Sequence, residues 1–318
     1  MRRALPLFLP LLALTACEKE ITVDLPETET RIVVEGTIET GQPPIVILTR
    51  TQSWFGPTNL SSIAATFVSE ATVTVDDGST AHTLQRVCSS EIPDALLDLA
   101  SGLVGIDVNL LRRANICVWI GANVLGEEGR SYRLNVEAEG RSLSSTTTIP
   151  HAVRLDSLWF RLARMRPNDD SLGFIWARLT DPDTLGNHYR WLARRENKGP
   201  DGRPKDGAFM APLFSVFEDR YVNGLSFDFN FNRGSRPYST AKDDENEERG
   251  YFKRGDTVVV KFASIGRAEF LFYNSFQNNV STQGDLFSNP ANVRSNISGG
   301  LGVWAGWGTR LDTLVCLP

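Results

Sequence analysis

The chain has 318 residues with 33 Lys+Arg against 38 Asp+Glu, a net charge of −5. A net-acidic globule is repelled by nucleic acid and by anionic headgroups, which argues against both as electrostatic partners. The length is ample for a buried core in each of two domains, and with three scattered histidines and no CxxC nothing points to zinc, another metal or a cofactor.

Arg2 and Arg3 lead an apolar run from Ala4 that closes on Leu14-Thr15-Ala16-Cys17. This is the grammar of an export signal: a positive start, an apolar stretch, then small residues. Pro6 and Pro10 interrupt the run, which falls short of the roughly 20 residues that span a bilayer. A cysteine directly after the small residues resembles the lipobox of bacterial lipoproteins. It implies lipid transfer to the Cys17 thiol, cleavage before it, and acylation of the new amino group. Two or three acyl chains hold a protein stably at a membrane, where one chain does so only marginally. The expectation is a signal peptide over residues 1–16 and a tether over 17–30.

From Arg31 the pattern is β. Residues 31–39 and 45–49 read as strands around a Gly41–Pro44 turn. Residues 71–75 and 81–87 form a hairpin across Asp76-Asp77-Gly78-Ser79, and 132–138 and 141–149 form another across Glu139-Gly140. Tyr132, Leu134 and Val136 share one face. These short strands predict an immunoglobulin-like β-sandwich over 31–150. One segment breaks the rhythm. Residues 91–116 are apolar at helical spacing (Ile92, Leu96, Leu99, Leu103) and are interrupted by Gly102 and Gly105, which predicts a helical insert of two short helices capping the sandwich. Cys88 and Cys117 bracket that insert and are the expected disulfide pair; Cys316 is left over.

Residues 151–318 predict a second β-rich domain with one helix. Strands are expected at 155–162, 172–179, 186–196, 225–231 and 256–263, a helix at 267–279, and two closing strands at 302–305 and 311–316. Asp243 to Glu248 reads as a solvated acidic loop. Asp228 to Gly234 does not fit a calcium loop, which needs glycine where Arg233 stands. Gly299 to Gly302 lacks the following helix of a phosphate loop. His82, His151 and His188 lie apart in sequence and suggest no triad. The ligand-binding candidates are Trp159, Trp176, Tyr189 and Trp191 with Arg190, flanked by Arg161 and Arg178. Aromatics beside arginines stack sugars or grip acidic groups.

The C-terminal stretch Asn289-Pro290-Ala291 and Ser295 to Trp304 resembles the closing signature of a Bacteroidetes outer-membrane lipoprotein family, domain of unknown function 4249. Cys17 to Ile21, Arg31 to Gly36, Asp219 to Gly224 and the strand from Gly255-Asp256 agree with it, over nearly the whole mature chain. Glu18-Lys19-Glu20 resembles the surface-export signal of lipoproteins in that group. The resemblance implies a lipid-anchored accessory or binding protein, periplasmic or surface-facing, beside a TonB-dependent nutrient receptor. It implies no catalytic residue. Two other classes compete: a surface hydrolase of glycan or peptide, and a structural subunit of a membrane complex.

Overall fold

The computed structural model describes residues 29–52, 59–163, 171–200, 202, 204–234, 248, 250–282 and 292–317. Cys17, the signal, most of the tether, the Asn289–Ala291 motif and the acidic run as far as Glu247 lie outside the described residues. The chain is mostly β, in three sheets packed as sandwiches. Strands β1 (Ile32–Glu39), β2 (Ile45–Arg50), β5 (Gln85–Cys88), β6 (Cys117–Ile120), β11 (His188–Arg195), β12 (Val216–Glu218), β15 (Thr257–Ile265) and β16 (Leu301–Val315) form one eight-stranded sheet. Its order is β12-β11-β15-β16-β1-β2-β6-β5.

Two smaller sheets cover one face of this large sheet. The first is β4-β3-β7-β8, built from β3 (Thr72–Asp76), β4 (Ala81–Thr83), β7 (Ser131–Ala138) and β8 (Arg141–Thr148). Both expected hairpins are present in it. Asp77 accepts hydrogen bonds from the Ser79 hydroxyl and from the Ser79 and Thr80 amides, which holds its carboxyl well below the usual range. The β7–β8 turn places Glu139 at φ 52° and Gly140 at φ 71°, as a two-residue hairpin turn requires. Tyr132, Leu134 and Val136 point inward onto Ile32, Val34, Ile38, Val46 and Leu48. The second small sheet joins β9 (Ser157–Leu162), β10 (Leu172–Thr180), β13 (Ser226–Phe231) and β14 (Phe252–Lys253). It packs Phe160, Ile175 and Leu179 on Tyr189, Trp191, Val258, Val260 and Phe262.

The seam between the two sandwiches is β16. It pairs antiparallel with β15 and parallel with β1, in register Glu35↔Val303 and Gly36↔Trp304. The expected division at residue 150 is therefore crossed by the last strand, whose Trp304 sits in the first sandwich's core. The two closing strands expected from sequence are one 15-residue strand. Gly306 and Gly308 do not break it; they let the chain at 147–152 pass close by. A Cβ at Gly308 would lie 2.1 Å from the Pro150 carbonyl oxygen.

The opposite face of the large sheet carries the helices. The insert forms α2 (Leu97–Val104) and α3 (Val108–Arg113), and the unforeseen α1 (Leu60–Thr66) joins them. Leu97, Ile106, Leu110 and Leu111 pack on Ile47 and Val118, so the insert covers a sheet face, not an open end. Gly105, at φ 72°, ends α2 and reorients the chain. That turn selects which apolar residues pack: Leu96, Leu99 and Leu103 stay exposed. Cys88 and Cys117 stand directly opposite each other across β5–β6 and form a disulfide. Closing a loop of that span restricts the unfolded chain by roughly 3–4 kcal/mol in the chain-entropy model. Cys316 is buried and free, its thiol pushed up to about 12, chiefly by burial. Helix α4 (Arg267–Ser281) covers the other end of the same face with Phe270, Tyr273 and Gln277, one stripe at helical spacing. Glu269 in its first turn receives the Thr147 hydroxyl, which fastens α4 to β8. Among the described residues no helix is long and apolar enough to cross a membrane.

Candidate functional site

The sequence-predicted aromatics divide between two places. Tyr189 and Trp191 point into the second core and are fully buried. Trp191 packs on Phe229 and Phe231, and the Tyr189 hydroxyl donates to Asp181. Burial, with that bond, raises the Tyr189 hydroxyl far above its ordinary range. Neither ring presents a face to a ligand. Trp159 and Trp176 are cross-strand partners on the outer face of the second small sheet and are half-buried. Their centroids are 6.4 Å apart, and the Arg161 guanidinium lies 5.9 and 5.2 Å from them. Arg161 thus covers rings that a sugar would stack on. Arg178 is engaged by Asp228 through bonds of 2.7 and 3.1 Å, which lower the Asp228 carboxyl.

Arg190, alternating with Tyr189 and Trp191, emerges on the opposite, helix-bearing face. Its guanidinium carbon is 3.6 Å from the Tyr273 ring centre and 4.8 Å from that of Trp307. This clamp stands at one end of a recess that neither the helical insert nor α4 fills. The floor is the outward face of β1 and β16. Glu35 is flanked in register by Val303 on one side and Ile47 on the other. Val303 belongs to the apolar cluster under α4, and Ile47 to the one under α2 and α3. Glu35 and Thr37 therefore lie in the gap between two helical covers. The covers meet above it: a Cβ on Gly102 of α2 would lie 2.4 Å from the Gly207 carbonyl oxygen. The loop carrying Gly207 is tied to α4, since the Phe214 amide donates to Gln277 at 2.9 Å. Phe214 takes φ 62° to make that turn, a costly conformation for a bulky residue and one concentrated at functional segments.

The electrostatics fit a recess. Glu35 is solvent-exposed by surface area, yet burial is the largest influence on its carboxyl and pushes it up, opposed by the Arg190 charge. Both hold together only where a side chain touches water while enclosed by protein mass, in a wet hollow and not on a convex surface. Tyr273 feels the charges of both Arg190 and Glu35, and burial pushes its hydroxyl up to about 12. Lys261 pairs with Glu39 at 2.7 Å and lies 4.5 Å from the Phe209 ring. The Trp307 indole nitrogen and the Arg190 Nε are buried without a hydrogen-bond partner. Such orphaned donors are uncommon in a finished core and concentrate where a site is incomplete.

The histidines are otherwise engaged: His82 lies 3.2 Å from Asp77, His151 3.6 Å from Glu128, and His188 is buried against Phe270. Sequence reading found Arg190 and missed Glu35, Thr37, Tyr273 and Trp307. Glu35 alternates with Val33 and Thr37 like any outward strand residue. The hollow exists only because β16 pairs beside β1, and no local pattern encodes that.

A protein-family model described as Domain of unknown function (DUF4249) matches residues 18–310, which take in both sandwiches and every residue of the recess. No curated protein matches the chain.

Proposed function

The chain belongs to the DUF4249 family, and from that premise we propose that it is a lipid-anchored binding protein of the outer membrane, serving a TonB-dependent uptake system and seating a small ligand in the Glu35 recess. The observation that carries the ligand reading is Glu35 itself: an unpaired carboxylate, wet but enclosed, on the floor between two apolar covers. Pockets of this make-up, apolar walls with a few convergent polar groups, are the usual ligand sites of proteins. The anchor rests on the sequence around Cys17, which gives the globule a membrane address without a spanning helix. The tether that follows is short, so the bound ligand stays near the membrane surface.

The test uses the full chain, solubilised from its own membranes in detergent. Intact mass is expected to show acyl chains on Cys17, and affinity capture an outer-membrane receptor in comparable amount. Cys17→Ala should abolish the acyl mass and move the protein to the aqueous phase on detergent partitioning. Wild-type chain of unmodified mass, still starting at Met1, overturns the anchor; capture of acylated chain with no receptor overturns the uptake role.

A further inference from the structure

Two opposite charges look into the recess without meeting. Glu35 makes no hydrogen bond or ion pair among the described residues, and Arg190 makes no ion pair among them. The neighbouring charges are spoken for: Lys261 by Glu39 at 2.7 Å, Arg194 by Glu196 at 2.8 Å, Arg310 by Glu128 at 2.7 Å, and Glu269 by the Thr147 hydroxyl. Both flat faces of the Arg190 guanidinium are occupied, between Tyr273 and Trp307. Only its edge is left for an acceptor.

Enclosed, unpaired charges are costly unless a partner arrives. A simple anion would satisfy Arg190 and be repelled by Glu35. A simple cation would do the reverse. A neutral sugar would leave both charges without counterions. A molecule carrying an ammonium and a carboxylate satisfies both at once. Resting on the reading of the recess as a ligand site, we infer that its occupant is a small zwitterion with a free amine and a free carboxylate, the amine on Glu35 and the carboxylate on the edge of Arg190. The walls beside these poles are Ile47, Val303 and the Tyr273 ring, which suits an apolar side chain between them. Free amino acids and short peptides with free termini share this chemistry.

The experiment is calorimetric titration of the full chain with five probes: L-leucine, L-leucyl-L-leucine, N-acetyl-L-leucine, L-leucinamide and maltose. At least one of the first two is expected to saturate, which also separates free amino acid from peptide as the source. Blocking either terminus should weaken binding by about tenfold or more, the scale of one lost charge-assisted hydrogen bond. Glu35→Gln should erase the preference for a free amine over the acetylated one, and Arg190→Gln the preference for a free carboxylate over the amide. Arg190→Gln also loses stacking, so Arg190→Lys, which keeps the charge, should retain the carboxylate preference. Blocked probes that bind as tightly as free ones, or preferences that survive Glu35→Gln and Arg190→Gln, overturn the zwitterion. Saturation by maltose alone overturns the zwitterion and leaves the ligand site standing. No saturation by any probe, with no small molecule retained by the membrane-extracted chain, overturns both.

Discussion

Replacing Asp206 by alanine is expected to destabilise the protein by about 3–5 kcal/mol, the cost of removing one partner from a buried charge cluster. Its side chain has no exposed surface and accepts four hydrogen bonds: from the Arg195 amide, Nε and Nη2 at 2.9, 2.9 and 2.8 Å, and from Arg233 at 3.3 Å. Arg195 is itself 3% exposed at the end of β11. Glu248 and Asp256 stand close by, so Arg195 keeps some compensation, and the estimate stays below the cost of a wholly uncompensated charge. The cluster also fixes the root of the loop that carries Gly207 and Phe209 to the recess. Urea melts at neutral pH check this: the midpoint should fall at unchanged slope, while Asp206→Asn, which keeps one acceptor oxygen, should cost less. A loss under about 1 kcal/mol for the alanine variant would contradict a buried, mutually dependent cluster.

Trp304→Ala should cost about 3–5 kcal/mol, as large-to-small changes of buried tryptophans do. The ring is wholly buried, donates to the Tyr132 carbonyl at 2.9 Å, and lies so close to Gly36 that a Cβ there would come within 2.7 Å of it. Its location makes the outcome informative. Trp304 is in the second half of the chain but packs in the first sandwich. Hydrogen exchange should therefore lose protection in β1, β3 and β7 as well as in β16. Protection lost only around β15 and β16 would mean that the two sandwiches stand independently and that β16 is no seam.

What the sequence shows and what it hides separate by the range of the interactions involved. The hairpins at Asp77-Gly78 and Glu139-Gly140 are visible because turn chemistry and period-two alternation are local. The helix at 267–281 is visible for the same reason, and so is the alternation that sends Arg190 to the face opposite Tyr189 and Trp191. Alternation does not say which face is covered, and here both are. Tyr189 and Trp191 look like ligand hardware in sequence and are core, because β13 folds three phenylalanines over them. The insert's apolar residues are visible, but the turn at Gly105 decides which of them pack and leaves Leu99 and Leu103 outside. The parallel pairing of β1 with β16, nearly 270 residues apart in register, has no local signature. Everything that makes the recess depends on that pairing, so Glu35 reads as an ordinary outward strand residue until the last strand is in place.

The claim that the recess holds a ligand is tested most directly by native mass spectrometry of the membrane-extracted full chain beside its Thr37→Trp variant. Thr37 is half-buried on the floor between Ala305 and Ile45, so a tryptophan there fills the hollow without entering either core. The account predicts a non-covalent mass on the wild-type protein, beyond any acyl chains, that is absent from a variant of unchanged melting temperature. The same bound mass on both proteins, or none on either, would contradict it.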